Sequence, residues 1–433
     1  MKIAFLSIRP PYPLDGGNRI RTFHLLNGIS QVHDVVLITA VEGPDDGAAL
    51  AAIREHIPRL IVRAVKVPSR NTPLRRLLRV VRSPLDPLPY TWAAYRDRRF
   101  IRHVRAVVQE GDFDLVHCDH IQVAHALFGL KTPPRLLNAH NIESVLVRRV
   151  AENESASCRK ALITWQYRKM RRIEAATHRH FDRSLVVSEV DRAELKRLAP
   201  ELSISVVPNG VDTDRFAPAG IRPAPNVMVF TGVMDWLPNV DGVTFFAREV
   251  LPRISRSVPQ AEWWVVGRNP APSLVRYLQS QGIRVTGAVD DIRPYLAQAG
   301  LVVVPLRIGG GTRLKILEAW AMGKAVLSTS VGAEGLPVVD GENIALADAA
   351  ECMAERAAAL LNDAAQGARL GAAGRRVVEE HFSWKMIADR LRVAYEETAR
   401  RPGLWSPPAA PDVVPSLPHI RRGARVSQAG RAG

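Results

Sequence analysis

The sequence predicts an α/β protein made of two doubly wound parallel sheets, one in each half of the chain. With 433 residues the chain is long for one hydrophobic core, since such cores stop growing at about 250–300 residues. Short runs of Val, Ile and Leu alternate with longer amphipathic stretches, which is typical of parallel strands covered by helices on both faces. The alternation occurs twice, on either side of a stretch at 204–225 in which Pro and Gly recur. We therefore expect two domains that join there.

Six apolar runs in each half are predicted strands. In the first half they lie at 2–8, 35–41, 60–67, 115–119, 136–140 and 184–188. In the second half they lie at 227–232, 263–267, 284–287, 301–305, 325–328 and 344–346. The segment 143–182 lacks Pro and Gly and predicts one long helix or a pair of helices. The predicted domains are 1–205 and 206–382, followed by a helix at 383–401 and a Pro- and Arg-rich tail at 402–433 that we expect to be disordered.

The composition is that of an ordinary globular protein with an excess of positive charge. Hydrophobic residues make up 47% of the chain and charged residues 24%, and the formal net charge is +16. Cys118, Cys158 and Cys352 lie far apart, without the spacing of a zinc site or a disulfide framework. The first apolar run is too short for a signal peptide, and no apolar run reaches the roughly 18 residues of a membrane span. We expect a cytoplasmic protein.

A basic segment at 63–105 carries much of the excess charge. It holds twelve Lys and Arg against Asp86 and Asp97, and apolar and aromatic side chains are interleaved with them. This pattern fits a solvated basic surface, an anionic membrane surface or a nucleic-acid partner. No helix-turn-helix or RNA-binding signature accompanies the charge, so nucleic acid is not the expected partner. The other two interpretations stay open.

A strand, a glycine-rich turn and a helix at 301–323 form the strongest signal in the chain. Three consecutive glycines at 309–311 let the backbone approach a ligand without side-chain obstruction. A helix predicted to begin near Thr312 offers free N–H groups and the positive end of its dipole to a phosphate. The pattern favours an anion site over a loop that merely turns tightly, although it has neither the Walker nor the dinucleotide-binding spacing.

Charged side chains follow in the first turns of that helix. Arg313 and Lys315 place positive charge in the first turn, where it opposes the helix dipole, so no structural need accounts for it. Glu318 follows one to two turns later and can accept hydrogen bonds from the hydroxyl groups of a ribose.

Five motifs cover most of the second half of the chain. They are VVPNGVD (206–212), FTGVMDWLPNVDG (230–242), WWVVGRNP (263–270), VTGAVDDIRPYL (285–296) and GGGTRLKILEAWAMGKAVLST (309–329). In this order they resemble the retaining family 4 glycosyltransferases of the GT-B fold, particularly the bacterial group associated with exopolysaccharide assembly. The resemblance implies two Rossmann-like domains that face each other across a cleft, with the last helix crossing back to the first domain.

The chain departs from the family pattern at one carboxylate. The family often has two Glu residues separated by seven others, and here the second is Glu318 while the first falls on Gly310. We expect backbone N–H groups of Gly310, Gly311 and Thr312 to take over part of the missing carboxylate's contact with the donor.

A second departure concerns positive charge. The Arg and Lys that the family has after the first strand of this domain are missing, and Arg268, Arg313 and Lys315 are the expected replacements around the diphosphate, with Arg268 and Lys315 acting in catalysis. Asn239 is expected to shape the cleft, and Glu334 to lie near the base and ribose.

Two motifs of the first half match the same family. PPYPLDGGNRIRTFHLL (10–26) places Gly16 and Gly17 between the first strand and a helix, in a loop that faces the donor diphosphate in the family; a tight turn is the alternative. NAHNIES (138–144) places His140 where the family has a His that contacts the sugar or the acceptor, and we expect a catalytic role for it.

Four further residues lie near His140 in this scheme. Asp119 and His120 end the preceding strand and are candidates for the same cleft, whereas His117 is expected in the core. Glu143 could orient His140, but we favour its interpretation as the first-turn acid of a helix.

The resemblance implies transfer of a sugar from a nucleoside diphosphate sugar to a hydroxyl group, with retention of configuration. Cations and helix N-termini would stabilise the charge that develops on the leaving diphosphate. No Asp-x-Asp site lies beside a phosphate loop, so we expect no metal and no cofactor. The expected acceptor is a glycan or a lipid-linked glycan of exopolysaccharide biosynthesis, reached from the inner face of the plasma membrane. A nucleotide-sugar epimerase and a non-catalytic nucleotide-sugar-binding protein are the alternatives.

Overall fold

A computed structural model describes residues 1–70, 72–83, 85–218, 220–221 and 223–400. It contains two separate parallel sheets, of seven and six strands, each covered by helices. All twelve predicted strands are present, with ends within three residues of those predicted. The predicted α/β fold of two doubly wound domains is therefore confirmed. The tail predicted at 402–433 lies outside the described residues.

The first sheet has the strand order β3-β2-β1-β4-β5-β6-β7, with every pair parallel. Its strands are β1 (Lys2–Ser7), β2 (Asp34–Val41), β3 (Ile61–Lys66), β4 (Leu115–Cys118), β5 (Arg135–Asn138), β6 (Arg183–Val186) and β7 (Ile204–Val206). Its helices are α1 (Gly17–Ser30), α2 (Asp45–His56), α3 (Pro73–Arg82), α4 (Tyr90–Ala93), α5 (Arg98–Glu110), α6 (Glu143–Glu152), α7 (Ser157–His178) and α8 (Glu189–Leu198). Strand β7 was not predicted.

The second sheet has the order β10-β9-β8-β11-β12-β13, again all parallel. Its strands are β8 (Ala224–Thr231), β9 (Glu262–Val266), β10 (Arg284–Val285), β11 (Ala299–Val304), β12 (Val326–Ser328) and β13 (Ala345–Leu346). Its helices are α9 (Leu237–Phe245), α10 (Leu251–Ser257), α11 (Pro272–Ser280), α12 (Arg293–Gln298), α13 (Leu314–Ala321), α14 (Ala350–Asn362) and α15 (Ala364–His381).

The last helix of the described chain, α16 (Trp384–Ala399), packs on the first sheet rather than on the second. Its buried face joins the core formed by β1, β2 and α1. A Cβ atom on Gly28 of α1 would lie 2.4 Å from the Cβ of Ala388, so the two helices approach as closely as a glycine permits. The hydroxyl of Tyr395 lies 2.7 Å from Nδ1 of His117. Helix α16 thus ties the end of the second domain to the first. The domain boundaries given above stay predictions.

The segment 143–182 forms two helices, α6 and α7, as one of the two predicted alternatives had it. Among the described residues, none of the helices combines the length and the apolar character needed to cross a bilayer.

Candidate active site

Each sheet has one point at which the strand order reverses. It lies between β1 and β4 in the first sheet and between β8 and β11 in the second. Open parallel sheets bind ligands at such points, in the crevice beyond the carboxyl ends of the strands. The loop that leads to Gly16 follows β1, Asp119 follows β4, and the glycine-rich loop 309–311 follows β11. The fold therefore brings the two predicted phosphate loops to the two switch points.

The N-terminus of α1 faces the second domain. Gly16 is its N-cap residue, with an extended backbone and no side chain to occupy the first N–H groups of the helix. A Cβ atom on Gly16 would lie 3.6 Å from the guanidinium of Arg268, and one on Gly17 would lie 3.4 Å from the side chain of Leu314. Since free N–H groups at a helix start attract anions, α1 presents an anion-binding end toward the start of α13.

Arg268 reaches across from the second domain to the loop that precedes α1. Its Nε donates to the carbonyl oxygen of Asp15 at 3.2 Å, and its Nη1 lies 3.4 Å from the Asp15 carboxylate. Arg19 holds the same carboxylate at 2.9 Å. About a third of the Arg268 side chain is exposed, so its guanidinium has room to take an anionic ligand as well.

The glycine-rich loop contacts the first domain at the segment that follows β5. Gly311 has φ +67°, in the left-handed region that favours glycine. A Cβ atom there would lie 2.7 Å from the Asn141 side chain and 2.8 Å from the carbonyl oxygen of His140. With its amide nitrogen turned toward the loop, the orientation that satisfies both of its polar atoms, Asn141 donates to the carbonyl oxygen of Gly310 at 2.9 Å. His140 and the loop are therefore neighbours, as the prediction of a shared site requires.

Two arginines hold the carbonyl groups of that loop. The Arg313 guanidinium donates to the carbonyl oxygens of Gly310 and Gly311, so in this structure it supports its own loop instead of extending into the cleft. Arg149 of α6 donates to the Gly309 carbonyl at 2.5 Å and forms a two-pronged pair with Glu334, at 2.6 Å for both contacts. Glu334, predicted near the base and ribose, is thus engaged in an ion pair between the domains.

The helix after the loop begins slightly later than the sequence predicts. Arg313 is the N-cap residue and α13 starts at Leu314, whereas the start was predicted near Thr312. The Arg313 backbone is extended, and its guanidinium turns back over the loop carbonyls. Lys315, in contrast, does lie in the first turn.

Half-buried Lys315 and buried Glu318 lie on one face of α13. The Lys315 ammonium donates to Oδ1 of Asn239 at 3.0 Å and lies 3.8 Å from the centre of the Phe230 ring. The pKa of Lys315 is lowered to about 7, chiefly by burial and also by Arg313, while Glu318 opposes the shift. Burial likewise raises the pKa of Glu318 to about 7, against the influence of Lys315 and Arg215.

The Glu318 carboxylate lacks the partners that a buried acid normally has. The residue is only 9% exposed, yet no group among the described residues donates a hydrogen bond to its side chain. Neither carboxylate oxygen is among the fully buried atoms without a partner, so the carboxylate stays open to a ligand. A pair of hydroxyl groups such as those of a ribose would satisfy it.

A second cluster surrounds Asp119 in the first domain. Its fully buried carboxylate accepts from Oγ1 of Thr22 at 2.6 Å and from Nδ2 of Asn138 at 2.8 Å. Nε2 of His140 lies 3.3 Å from Oδ1, and Nδ1 of His120 lies 3.1 Å from Oδ2. The rings of the two histidines stack with their centres 4.4 Å apart. Asp119 therefore holds His140 in place.

Asp119 stays ionised despite its burial. Burial alone would raise the pKa of its carboxyl group, but His140, His120 and His117 together hold it well below its usual value. Burial lowers the pKa of His120 to about 4, so that imidazole is neutral at pH 7. Candidate ligand atoms of Asp119, His120 and His140 lie within 4.8 Å of one another, a donor set that suits Zn²⁺ chemically. Thr22 and Asn138 already donate to the carboxylate, whereas both ring nitrogens of His120 lack a hydrogen-bond partner among the described residues.

Several residues of the site were not predicted. Arg21 is buried in α1 and donates to the carbonyl oxygens of Val207 and Pro208 and to Oδ1 of Asn209. Asn209 donates to Oγ1 of Thr312 at 2.9 Å. This chain of contacts connects the first helix to the glycine-rich loop. Arg21 and Asn209 both lie inside the family motifs given above, so the match to these motifs could have identified them. Arg149 lies outside the motifs, and no pattern in the sequence marked it.

Other predicted residues fall outside the centre of the site. His117 lies in the core, as expected, stacked on Phe5 with ring centres 4.2 Å apart. Glu143 begins α6, as the favoured interpretation had it, and its side chain accepts from Gln122 at 3.3 Å. Burial raises the pKa of Glu143 to about 7.

Comparisons with known proteins agree with this architecture. Residues 16–215 match the family model described as Glycosyltransferase Family 4, and residues 225–363 match the model described as Glycosyl transferases group 1. The chain is similar to an MMP alpha-(1->4)-mannosyltransferase of Mycolicibacterium hassiacum, with 26% identity over 93% of this chain and 99% of the relative.

Two further comparisons concern a part of the sequence and the fold. A GDP-mannose-dependent monoacylated alpha-(1-6)-phosphatidylinositol monomannoside mannosyltransferase of Corynebacterium glutamicum is 28% identical over 43% of this chain, and the match spans about half of that relative, 54%. Sucrose-phosphate synthase of Thermosynechococcus elongatus shares the fold, with a TM-score of 0.70 at 20% identity over 92% of this chain and 98% of that one. With a glycosyltransferase model matching each half and both predicted sheets in place, the chain belongs to the family 4 glycosyltransferases of the GT-B fold.

Proposed function

We propose that this enzyme transfers a sugar from a nucleoside diphosphate sugar to a hydroxyl group of a glycan or lipid-linked acceptor, with retention of configuration and without a metal ion. The observation that carries the proposal is the pair of half-buried Lys315 and buried Glu318 on one face of α13. A carboxylate without donors next to an ammonium suits a ligand that brings both hydroxyl groups and negative charge. The ribose and diphosphate of a nucleotide sugar supply the two.

The diphosphate would lie between the two domains. The N–H groups at the start of α1 and the Arg268 guanidinium are available there. We expect the N–H groups of Gly310, Gly311 and Thr312 to bind the diphosphate with them. As the anomeric bond breaks, negative charge builds on the leaving diphosphate, and donors fixed in position stabilise this charge more strongly in the transition state than in the ground state. No protein nucleophile is assigned, since the leaving phosphate can take the proton of the acceptor hydroxyl.

His140 would lie on the acceptor side of the transferred sugar. It follows β5 in the first domain, its backbone contacts Gly311, and Asp119 fixes its ring. Gly310 stands where the family often has a carboxylate, so contacts to the sugar there would come from the backbone.

The relatives suggest which donor to test first. The Corynebacterium enzyme is named as GDP-mannose-dependent, and the Mycolicibacterium enzyme is named as a mannosyltransferase. We therefore propose GDP-mannose as the donor, with a role in exopolysaccharide or lipid-linked glycan synthesis.

A thermal-shift screen tests this proposal. Bound donor stabilises the folded protein by mass action, by about 2.7 kcal/mol at a hundredfold excess over Kd. GDP-mannose should raise the melting temperature more than UDP- or ADP-sugars do, and Glu318→Gln should remove most of the shift because the amide is a weaker acceptor for the ribose hydroxyls. Glu342→Gln, an exposed change in the same domain, is the matched control. Absence of a shift with every donor would contradict the proposal, and binding without turnover would favour a non-catalytic sugar-nucleotide-binding protein.

A further inference from the structure

Helix α3 turns its apolar face outward. Leu74, Leu77 and Val81, which share this face by their helical spacing, are 66%, 60% and 66% exposed. No described residue of α3 is buried. A surface helix of a soluble domain typically places its apolar stripe against the core, so this face is left without an apolar partner among the described residues.

The opposite face of α3 is basic and faces the protein. It borders a cavity of about 260 Å³, much larger than the 10–15 Å³ that one water needs. Five arginines and two aspartates line it: Arg70, Arg75, Arg79, Arg82 and Arg96, with Asp86 and Asp97. Both aspartates are engaged, since Asp86 pairs with Arg96 at 3.2 Å and Asp97 caps α5. The cavity therefore has uncompensated positive charge.

Arg70 forms the inner wall of this cavity. The residue is 7% exposed; its Nη1 pairs with Glu42 at 3.0 Å, and its guanidinium stacks on the Tyr95 ring at 4.6 Å. Its Nε and Nη2 have no hydrogen-bond partner among the described residues. Buried donors without acceptors are costly, and the planar guanidinium matches phosphate oxygens in geometry. The two nitrogens are covered by the protein, and a phosphate group in the cavity would contact the exposed guanidinium groups of Arg75 and Arg82 instead.

We propose that this cavity binds the phosphate group of an anionic lipid while the apolar face of α3 enters the membrane. The charge of the cavity matches a lipid phosphate, and the exposed leucines and valine match the acyl region directly beside it. A second copy of the chain fits less well, because the basic rim would repel itself and a ten-residue helix offers little of the roughly 800 Å² per partner that a stable interface buries.

The cavity is connected to the candidate active site by its inner wall. Nη1 of Arg70 donates to the carbonyl oxygen of Ile8 at 3.2 Å, in the loop after β1 that leads to Gly16. A lipid held in the cavity would thus lie on the first domain, the side from which the acceptor is expected. This inference deepens the proposed function and rests on it for the identification of the lipid as the acceptor class.

Vesicle co-sedimentation of the full chain tests the inference. Vesicles of phosphatidylcholine with phosphatidylglycerol should bind the protein, whereas phosphatidylcholine alone should bind it weakly. Arg75→Gln with Arg82→Gln removes two exposed cavity arginines and should weaken binding about 30-fold, from the contribution of each basic residue at an anionic surface. Leu74→Ser with Leu77→Ser should abolish binding. Arg256→Gln with Arg276→Gln, exposed in the second domain, removes the same net charge and should leave binding unchanged.

Three outcomes would overturn the inference: no binding to anionic vesicles, equal losses in the cavity variant and its control, or a dimer in solution that the α3 serines dissociate. Hydrolysis of the donor without membranes is measured on the same variants and should not change, since none of these residues lies in the donor site. Hydrolysis without vesicle binding would overturn the lipid site alone. The wild type could also bind vesicles but neither hydrolyse nor transfer any donor sugar. That result would overturn the proposed function but not the lipid-binding surface.

Discussion

Replacing Asp119 by Asn is expected to loosen the network that holds His140. The carboxylate offers two acceptor oxygens to Thr22, Asn138 and the two histidines. An amide offers one oxygen and turns its NH₂ group toward at least one of the donors. A hydrogen bond to a charged group contributes about 1.5–3 kcal/mol, and part of its loss is offset because the desolvation cost of the charge also disappears. We expect the free energy of unfolding to fall by about 2–3 kcal/mol at pH 7.

The pH dependence of this loss has a defined sign. The pKa of Asp119 is depressed in the folded protein, so its contribution is present above the unfolded pKa of about 3.9 and is lost as the pH falls through the folded pKa. The difference in stability between wild type and Asp119→Asn should therefore be constant near neutral pH and shrink below about pH 4. Urea unfolding followed by tryptophan fluorescence measures it.

Activity provides the second readout for Asp119. If the carboxylate positions His140, kcat should fall about 100-fold with little change in the KM for the donor, as expected for a misplaced catalytic group. Asp112→Asn, an exposed change at the opposite end of β4, is the control. Wild-type stability and kcat in Asp119→Asn would refute the reasoning, and a loss of stability with full kcat would refute the positioning role.

Three further predictions concern the glycine-rich loop, the pair of Lys315 and Glu318, and the expected independence of a metal ion. Gly311→Ala should lower the free energy of unfolding by about 1–3 kcal/mol and weaken donor binding measured by calorimetry, because the added Cβ would meet the Asn141 side chain and the His140 carbonyl. The control is Gly282→Ala, where φ is similarly positive but the space is open, and it should leave donor binding intact. The pH profile of kcat/KM should be a bell centred near pH 7, since Lys315 must keep its proton and Glu318 must lose its own; a profile flat from pH 6 to 8 would contradict their joint role. Prolonged treatment with a chelator should leave kcat unchanged, and a loss restored by Zn²⁺ would instead assign a metal to the cluster around Asp119.

The fold could be predicted because its strands are buried on both faces. Strands such as β1 and β11 appear in the sequence as continuous apolar runs between turn residues. Such runs can be recognised from the local sequence, without knowing which strands lie beside them. Strand β7 has three half-buried residues and lies in the stretch where Pro and Gly indicated a junction, so no local pattern marked it.

The site could be predicted only where its chemistry is local in sequence. Three glycines before a helix predict a phosphate-binding loop from the local sequence alone. The direction of the Arg313 guanidinium depends on carbonyl groups that only the folded loop presents, and the contact from Arg149 comes from the other domain. The cluster around Asp119 depends on β4 and β5 being neighbours in the sheet, which the strand order decides.

The measurement that tests the central claim most directly is NMR of the sugar during turnover with GDP-mannose and a hydroxyl acceptor. The account predicts that the first-formed product carries the sugar in the same anomeric configuration as the donor, and that Glu318→Gln slows its appearance. An inverted product, or a donor sugar that changes its configuration at any carbon without transfer, would contradict the account.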